Sequence, residues 1–338
     1  MKHKGLILIL LGLGILIAMI FIIGPDKIEQ AFKQANPVYI LLAVVVQLIT
    51  YILLTLRWSI TTNSVGINVK KRHLLPMLMV GMAVNNITPS ARGGGEPLRA
   101  YMLSKYSKSS MESSFATVIA DRGLDTFPFL VLAVMTIIAM ILYFNLSLWI
   151  ILSLTMAVIL IVVLFLIALY MSVNKNAGEK ITLWVLRIIK RFYHKNPDKL
   201  KKKALGAIHE FQHTIKIMLS DPKVMLYGIP LSFLIWFLEI IRVYLVFSAF
   251  GVDVSLIVIA EVFIIASLIG MIPLLPGGLG AVDGVMILFY SAAGIPPSIS
   301  AAATVLERLI SFWMTSILGL VCLPYFGSAV IKKISKKL

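Results

Sequence analysis

The sequence predicts an all-α fold of the polytopic integral membrane class, and three observations carry that expectation. Hydrophobic residues make up 59% of the 338 positions and charged residues 14%, where a soluble domain carries about 25% charged. Apolar runs long enough to cross a bilayer recur along the chain, separated by short turns. The charge is one-sided, 31 Lys+Arg against 15 Asp+Glu for a net +16, as expected of loops facing the cytoplasm and anionic lipid heads. No basic run is attached to a soluble recognition module, so no nucleic-acid partner is expected. Cys322 is the single cysteine, which leaves no intrachain disulfide or Cys-based metal site.

Taken in order, Lys2 and Lys4 precede an apolar run from Leu6 to Ile23. The run is long for a signal peptide and lacks a small-residue cleavage site, so it reads as an uncleaved first span. Pro25 and Asp26 end it, a short neutral loop follows, and Asn36-Pro37 starts a second span over Val38 to Leu56. Arg57-Trp58 and then Lys70-Lys71-Arg72 mark its cytoplasmic end. Leu74 to Val84 and Leu98 to Leu103 are apolar but too short to cross. Between them lies Asn85-Asn-Ile-Thr-Pro-Ser-Ala-Arg-Gly-Gly-Gly-Glu-Pro-Leu-Arg99, backbone that cannot face lipid because its amides would lack partners. Both flanks of this pair are basic, which predicts a re-entrant helix pair dipping in from the cytoplasm.

Phe115 to Phe144 is a long span with Asp121, Arg122 and Asp125 near its start, Asn145 an outer turn, and Leu146 to Met171 the return. Residues 172–223 form a basic cytoplasmic loop. Within it Leu200, Ala204, Ile208, Phe211, Ile215 and Leu219 recur at helical spacing, predicting an amphipathic helix. Val224 to Phe250 spans outward with Glu239 and Arg242 on one face. Ile257 to Leu275, the Pro276-Gly-Gly-Leu-Gly280 break and Val282 to Ala293 predict a second re-entrant pair. Ser298 to Tyr325 is the last span, carrying Glu307-Arg308, and a basic tail follows.

The two halves echo each other. Arg57 precedes Gly94 by 37 positions and Arg242 precedes Gly278 by 36; Arg122 follows Gly94 by 28 and Arg308 follows Gly278 by 30. Counting spans gives the halves opposite orientation. The expectation is therefore one membrane domain over 1–338, with about six full spans and two re-entrant pairs. Its first repeat covers 37–144, and an inverted second repeat covers 224–326. Inverted repeats with broken helices place a transport site at the repeat interface.

The candidate site residues follow from that geometry. Asn86, the glycines Gly93, Gly94 and Gly95, and Gly277, Gly278 and Gly280 could present backbone amides and helix ends to a phosphate; the bland alternative is tight packing. Neither break is a Walker loop, since no Gly-Lys-Ser/Thr follows. Arg92, Arg99, Arg122, Arg242 and Arg308 are cations at or near membrane depth, where ionisable groups suggest function, and arginine suits bidentate phosphate contact. Glu96, Asp121, Glu239, Asp283 and Glu307 are their acids. Neighbours on a helix do not face each other, so Asp121-Arg122 and Glu307-Arg308 are expected to pair with other segments. His209-Glu210-x-x-His213 has zinc-protease spacing but no evident third ligand, and no metal or other cofactor is expected.

These residues carry a likeness. Asn86-Ile87-Thr88-Pro89, Gly93-Gly94-Gly95-Glu96-Pro97-x-Arg99, Asp121-Arg122-x-x-Asp125, Pro276-Gly277-Gly278-Leu279-Gly280 and Glu307-Arg308 resemble the membrane domain of the lysylphosphatidylglycerol synthase/flippase family over nearly the whole chain. Asp283 keeps an acid where several members of the family have Glu. The resemblance implies movement of a charged lipid between leaflets. Bifunctional members add a soluble aminoacyl transferase domain, absent from these 338 residues, so lysyl transfer is not carried over. The expected function is a flippase-like transporter of a phosphate-bearing lipid, anionic or polyprenyl-linked, in the plasma membrane with both termini cytoplasmic. The alternatives are a membrane transferase acting on a polyprenyl-phosphate lipid, a non-transporting partner of a separately encoded lipid synthase or glycosyltransferase, and a membrane metalloprotease. Membrane lipids are the expected partners, with homo-oligomerisation left open.

Overall fold

The computed structural model describes residues 17, 21, 25–88, 93–143, 148–190, 197–272 and 275–326. The expected first span (apart from Ile17 and Phe21), Pro89, Arg92, the Asn145 turn and the basic tail lie outside them. The described residues form helices joined by turns, and no strand occurs among them. Among the described residues, five helices are long and apolar enough to cross a membrane.

α1 (Pro25–Gln34) occupies the segment expected to be a loop. Its Ile28 is buried against Ala301 and Ala302, so the polar composition was that of an amphipathic turn of helix rather than of coil. α2 (Pro37–Ser64) starts where Asn36 Oδ1 accepts from Val38 N at 3.0 Å, with proline at the first helical position. This pre-organised start needs no amide from Pro37. α2 does not stop at Leu56. Arg57 and Trp58 are fully buried within it, so the expected interfacial end is corrected: Arg57 is a core residue, and the helix runs two turns further.

α3 (Lys71–Ile87) and α4 (Glu96–Ser107) are the two short helices either side of the polar stretch. They cross at glycine. A Cβ on Gly95 would overlap the Gly81 carbonyl and fall 2.9 Å from Gly81 Cα. α5 (Met111–Tyr143) follows, then α6 (Leu148–Val173), which is exposed almost all round: only 6% of its apolar window is buried. A helix so apolar and so uncovered is a lipid-facing span.

The basic segment folds as two helices, α7 (Lys175–Lys190) and α8 (Pro197–Ser220). Of the expected stripe on α8, Ile215 is buried with Met218 against Ala116, Leu124 and Val224, and Phe211 packs on the same cluster, whereas Leu219 is exposed. α7 leaves Ile181, Trp184, Val185 and Ile188 exposed between its lysines.

α9 (Pro222–Ala249) repeats the start of α2: Asp221 Oδ1 accepts from Lys223 N at 3.0 Å, with Pro222 first in the helix. Pro37 to Arg57 and Pro222 to Arg242 are both twenty positions. α2 and α9 pack along one another. α10 (Leu256–Gly270), a short 3-10 turn (Pro276–Gly278) and α11 (Ala281–Ala292) form the second broken pair. α12 (Pro297–Arg308), a π turn (Leu309–Trp313) and α13 (Met314–Cys322) make the last span. The broken pairs pack across the molecule. α3 lies against α13, where a Cβ on Gly319 would overlap the Met79 carbonyl, and α10 packs its Ile264 and Leu268 with Phe129 and Leu130 of α5. Small residues of this kind let membrane helices approach closely.

Candidate functional site

Two ionic clusters sit beside the two helix breaks. In the first, Arg57 Nε donates to Asp121 Oδ1 at 2.9 Å and its Nη1 to Asp125 Oδ1 at 2.7 Å. Arg99 Nη2 donates to Asp121 Oδ2 at 3.0 Å and its Nη1 to Glu96 Oε2 at 3.1 Å, while its guanidinium lies 4.2 Å from the centre of the Trp58 ring. Arg122 Nε donates to Glu96 Oε1 at 2.7 Å. Asn85 holds the break itself: its Oδ1 accepts from Gly95 N at 2.6 Å and its Nδ2 donates to Glu96 Oε1 at 3.1 Å.

The second cluster has the same plan. Arg242 Nη2 donates to Glu307 Oε1 at 2.8 Å, and its Nη1 donates to Glu239 and Gln47. Arg308 Nε lies 2.9 Å from Asp283 Oδ1, and its Nη2 donates to Gly277 O at 3.0 Å. Asp283 Oδ2 accepts from Gly280 N at 2.6 Å. Arg57–Asp121 thus answers Arg242–Glu307, and Arg122–Glu96 answers Arg308–Asp283. The clusters are also cross-linked. Arg57 Nη1 donates to Ser232 of α9 at 3.1 Å, as Arg242 donates to Gln47 of α2. Ser232 and Gln47 each stand ten positions before the arginine of their own helix.

The breaks meet between these clusters. Asn86 Nδ2 donates to Phe312 O at 3.2 Å and to Ser316 Oγ at 2.9 Å. Gly277 has φ +55°, and a Cβ there would fall 2.9 Å from Asn86 O and overlap the Phe312 ring. Only glycine fits that left-handed, crowded position. A cavity of about 200 Å³ opens at this junction. Of the residues singled out in the sequence, Asn86, Arg122, Glu239, Arg242, Gly277, Glu307 and Arg308 line it. Glu96, Arg99, Asp121 and Asp283 are buried outside that wall in the ion pairs just described, and Gly93 is exposed. Arg92 lies outside the described residues.

One expectation changes. Gly95, Gly278 and Gly280 do not offer free amides: they donate to Asn85, to Leu275 O and to Asp283 respectively. Gly95 and Gly278 close-pack the breaks, against Gly81 and Val282, and Gly280 is held by the Asp283 carboxylate. The cations of the site all meet acids, most of them from other segments of the chain. Five arginines (57, 99, 122, 242, 308) face six carboxylates (96, 121, 125, 239, 283, 307). Arg57, Arg99 and Arg242 have side chains 1% exposed, whereas Arg122 is 35% exposed. Arg122 is therefore the most accessible of these cations.

Sequence reasoning missed the cavity's remaining polar wall. Gln47, Ser267 and Ser311 line it, and Trp236 closes one side by donating from Nε1 to Asp125 O at 3.2 Å. Gln47 was the available signal, a lone amide in an apolar span. His209 Nε2 lies 2.7 Å from Glu179 of α7, and no group of three His, Cys, Asp or Glu placed to hold a metal occurs among the described residues.

Residues 9–319 match the family described as the lysylphosphatidylglycerol synthase TM region. The chain belongs to this family. Within the lysylphosphatidylglycerol synthase TM group it is similar to a UPF0104 membrane protein of Methanothermobacter thermautotrophicus, 65% identical over the whole of both chains. It is also similar to a UPF0104 membrane protein of Methanocaldococcus jannaschii, 32% identical over 98% of each. A more distant likeness is to the glycosyltransferase AglD of Haloferax volcanii, 22% identical over 93% of this chain and 53% of that protein. Membership and the apolar helices together make this a multi-pass integral membrane protein.

Proposed function

We propose that the protein is a flippase-like carrier for a phosphate-bearing polar lipid. One observation carries this reading: an ion-lined cavity, flanked by two broken helices, inside a bundle of membrane-spanning helices. Burying three arginines and three carboxylates around such a space (Arg122, Arg242, Arg308; Asp125, Glu239, Glu307) costs stability unless each charge keeps a partner. A head group supplies partners by exchange. Its phosphate takes the arginines, and its hydroxyl, amine or sugar donors take the acids released. The equivalent pairs support an inverted duplication with re-entrant helix pairs, and rocking of the halves about the α2–α9 contact is the simplest route to alternating access. A plasma membrane location with both termini cytoplasmic, lipids as partners and no nucleic acid complete the reading.

Liposomes containing purified protein and fluorescent phosphatidylglycerol test it. Reductant added outside is expected to bleach about half of the probe in protein-free vesicles and nearly all in vesicles with protein. Arg308→Gln and Arg242→Gln are expected to slow that loss. No acceleration across a panel of phosphate-bearing lipids sinks the proposal.

The likeness to AglD favours a second reading, in which the domain serves a glycosyltransferase, as its partner or as a transferase on a polyprenyl-phosphate lipid. Product formation in detergent, where no second leaflet exists, supports the transferase form. Co-purification with a separate synthase or glycosyltransferase, without intrinsic activity, supports the partner form.

A further inference from the structure

A second cavity, of about 380 Å³, lies between α5, α6, α8 and α9. Its wall is almost wholly carbon: Gly123 and Phe127 of α5, Phe165 and Ala168 of α6, Met218 of α8 and Ile229 of α9 are representative. The hydroxyls at its edge are already spent on their own helices. Thr126 Oγ1 donates to Arg122 O at 2.8 Å, and Ser172 Oγ to Ala168 O at 2.7 Å. A space with so few free polar groups holds water poorly. Among the described residues, Arg122 alone lines both this cleft and the ionic cavity. Arginine can serve two such surroundings at once, with its stem against apolar surface and its guanidinium among polar groups.

We infer that this cleft binds the hydrocarbon chain of the lipid whose phosphate head group occupies the ionic cavity, with the Arg122 guanidinium marking the junction of head and chain. The inference rests on the carrier reading for its choice of head group. It adds a chain site, and it places the lateral doorway between α5 and α6, beside the amphipathic helix α8. The occupant follows from the two linings together: an apolar slot running into a site with an accessible cation fits an amphiphile with an anionic end and a hydrocarbon tail.

Gly123 supplies the test. A Cβ there meets nothing within 4 Å, and leucine is a better helix former than glycine. Gly123→Leu therefore projects into the cleft from a position with room for its Cβ, and Ala168→Leu on the opposite wall is an independent second filler. The full chain is reconstituted in phosphatidylcholine vesicles with phosphatidylglycerol bearing a diazirine on one chain, or with diacylglycerol bearing the same chain. After illumination, labelled peptides are mapped by mass spectrometry, and thermal stability confirms that each variant is folded. Phosphatidylglycerol is expected to label α5 near Phe127 and α6 near Phe165 at least about tenfold more than diacylglycerol. Either filler is expected to reduce that labelling by about tenfold, since excluding two methylenes is enough for such a loss. Equal labelling by both probes, or labelling unchanged in both fillers, overturns the inference. Cleft labelling without lipid translocation rejects the carrier and leaves the chain site standing. Translocation with no cleft labelling does the reverse.

Discussion

Arg242 is almost wholly buried: its side chain is 1% exposed, and Glu239, Glu307 and Gln47 surround its guanidinium. Arg242→Ala leaves two carboxylates facing each other without a cation. The expected cost is about 3–5 kcal/mol, read by chemical denaturation in micelles. The double variant Arg242→Gln with Glu307→Gln is expected to recover part of it, because it removes charge from both sides. Glu261 is the opposite case. It is 3% exposed in α10, and neither carboxylate oxygen has a hydrogen-bond partner. Glu261→Leu is expected to raise the melting temperature, by the equivalent of about 1–3 kcal/mol; a lower one would mean that the acid has a role that its surroundings do not display. At this scale the sequence displayed the charges but not their depth. Arg57 reads as the end of a span because Trp58 and a basic triplet follow. Its burial depends on Asp121, Asp125 and Ser232, none of which is near it in the chain.

Helix crossings explain which glycines matter. Gly95 lies against Gly81 with no room for a methyl group, whereas a Cβ on Gly206 of α8 would meet nothing within 4 Å. Gly95→Ala is expected to abolish the folded, monodisperse protein. Gly206→Ala is expected to stabilise it by up to about 1 kcal/mol, both read from size-exclusion profiles and thermal melts. Span lengths and Pro/Gly punctuation made the long helices and the two broken pairs legible, because length against bilayer thickness is a one-dimensional property. The α1 helix was hidden by its balanced charges, and only its landing place, Ala301 and Ala302, explains its single buried isoleucine. The site was half legible for the same reason: cations and acids at corresponding spacings showed in the sequence, while Gln47, Trp236 and Ser267 joined them only by folding.

Across the whole molecule, the exposed apolar face of α7 and the lysines beside it need a boundary between water and lipid. Trp184, 59% exposed on that face, is expected to sit at head-group depth. In a variant keeping Trp184 as its only tryptophan, lipids carrying a shallow quencher should dim fluorescence more than lipids quenched near the bilayer centre. Stronger quenching from the centre would show that α7 does not lie in the interface.

The exchanged contacts of α2 and α9 bear on biogenesis. Arg57 is complete only when Ser232 arrives, and Arg242 only when Gln47 is already waiting. As the ribosome delivers the chain, the amino-terminal half must rest in the bilayer with an unfinished arginine until the other half emerges. Each half is thus an incomplete product on its own. Separate genes for 1–194 and 195–338 are expected to yield rapidly degraded fragments when expressed singly, and a stable assembled pair when expressed together.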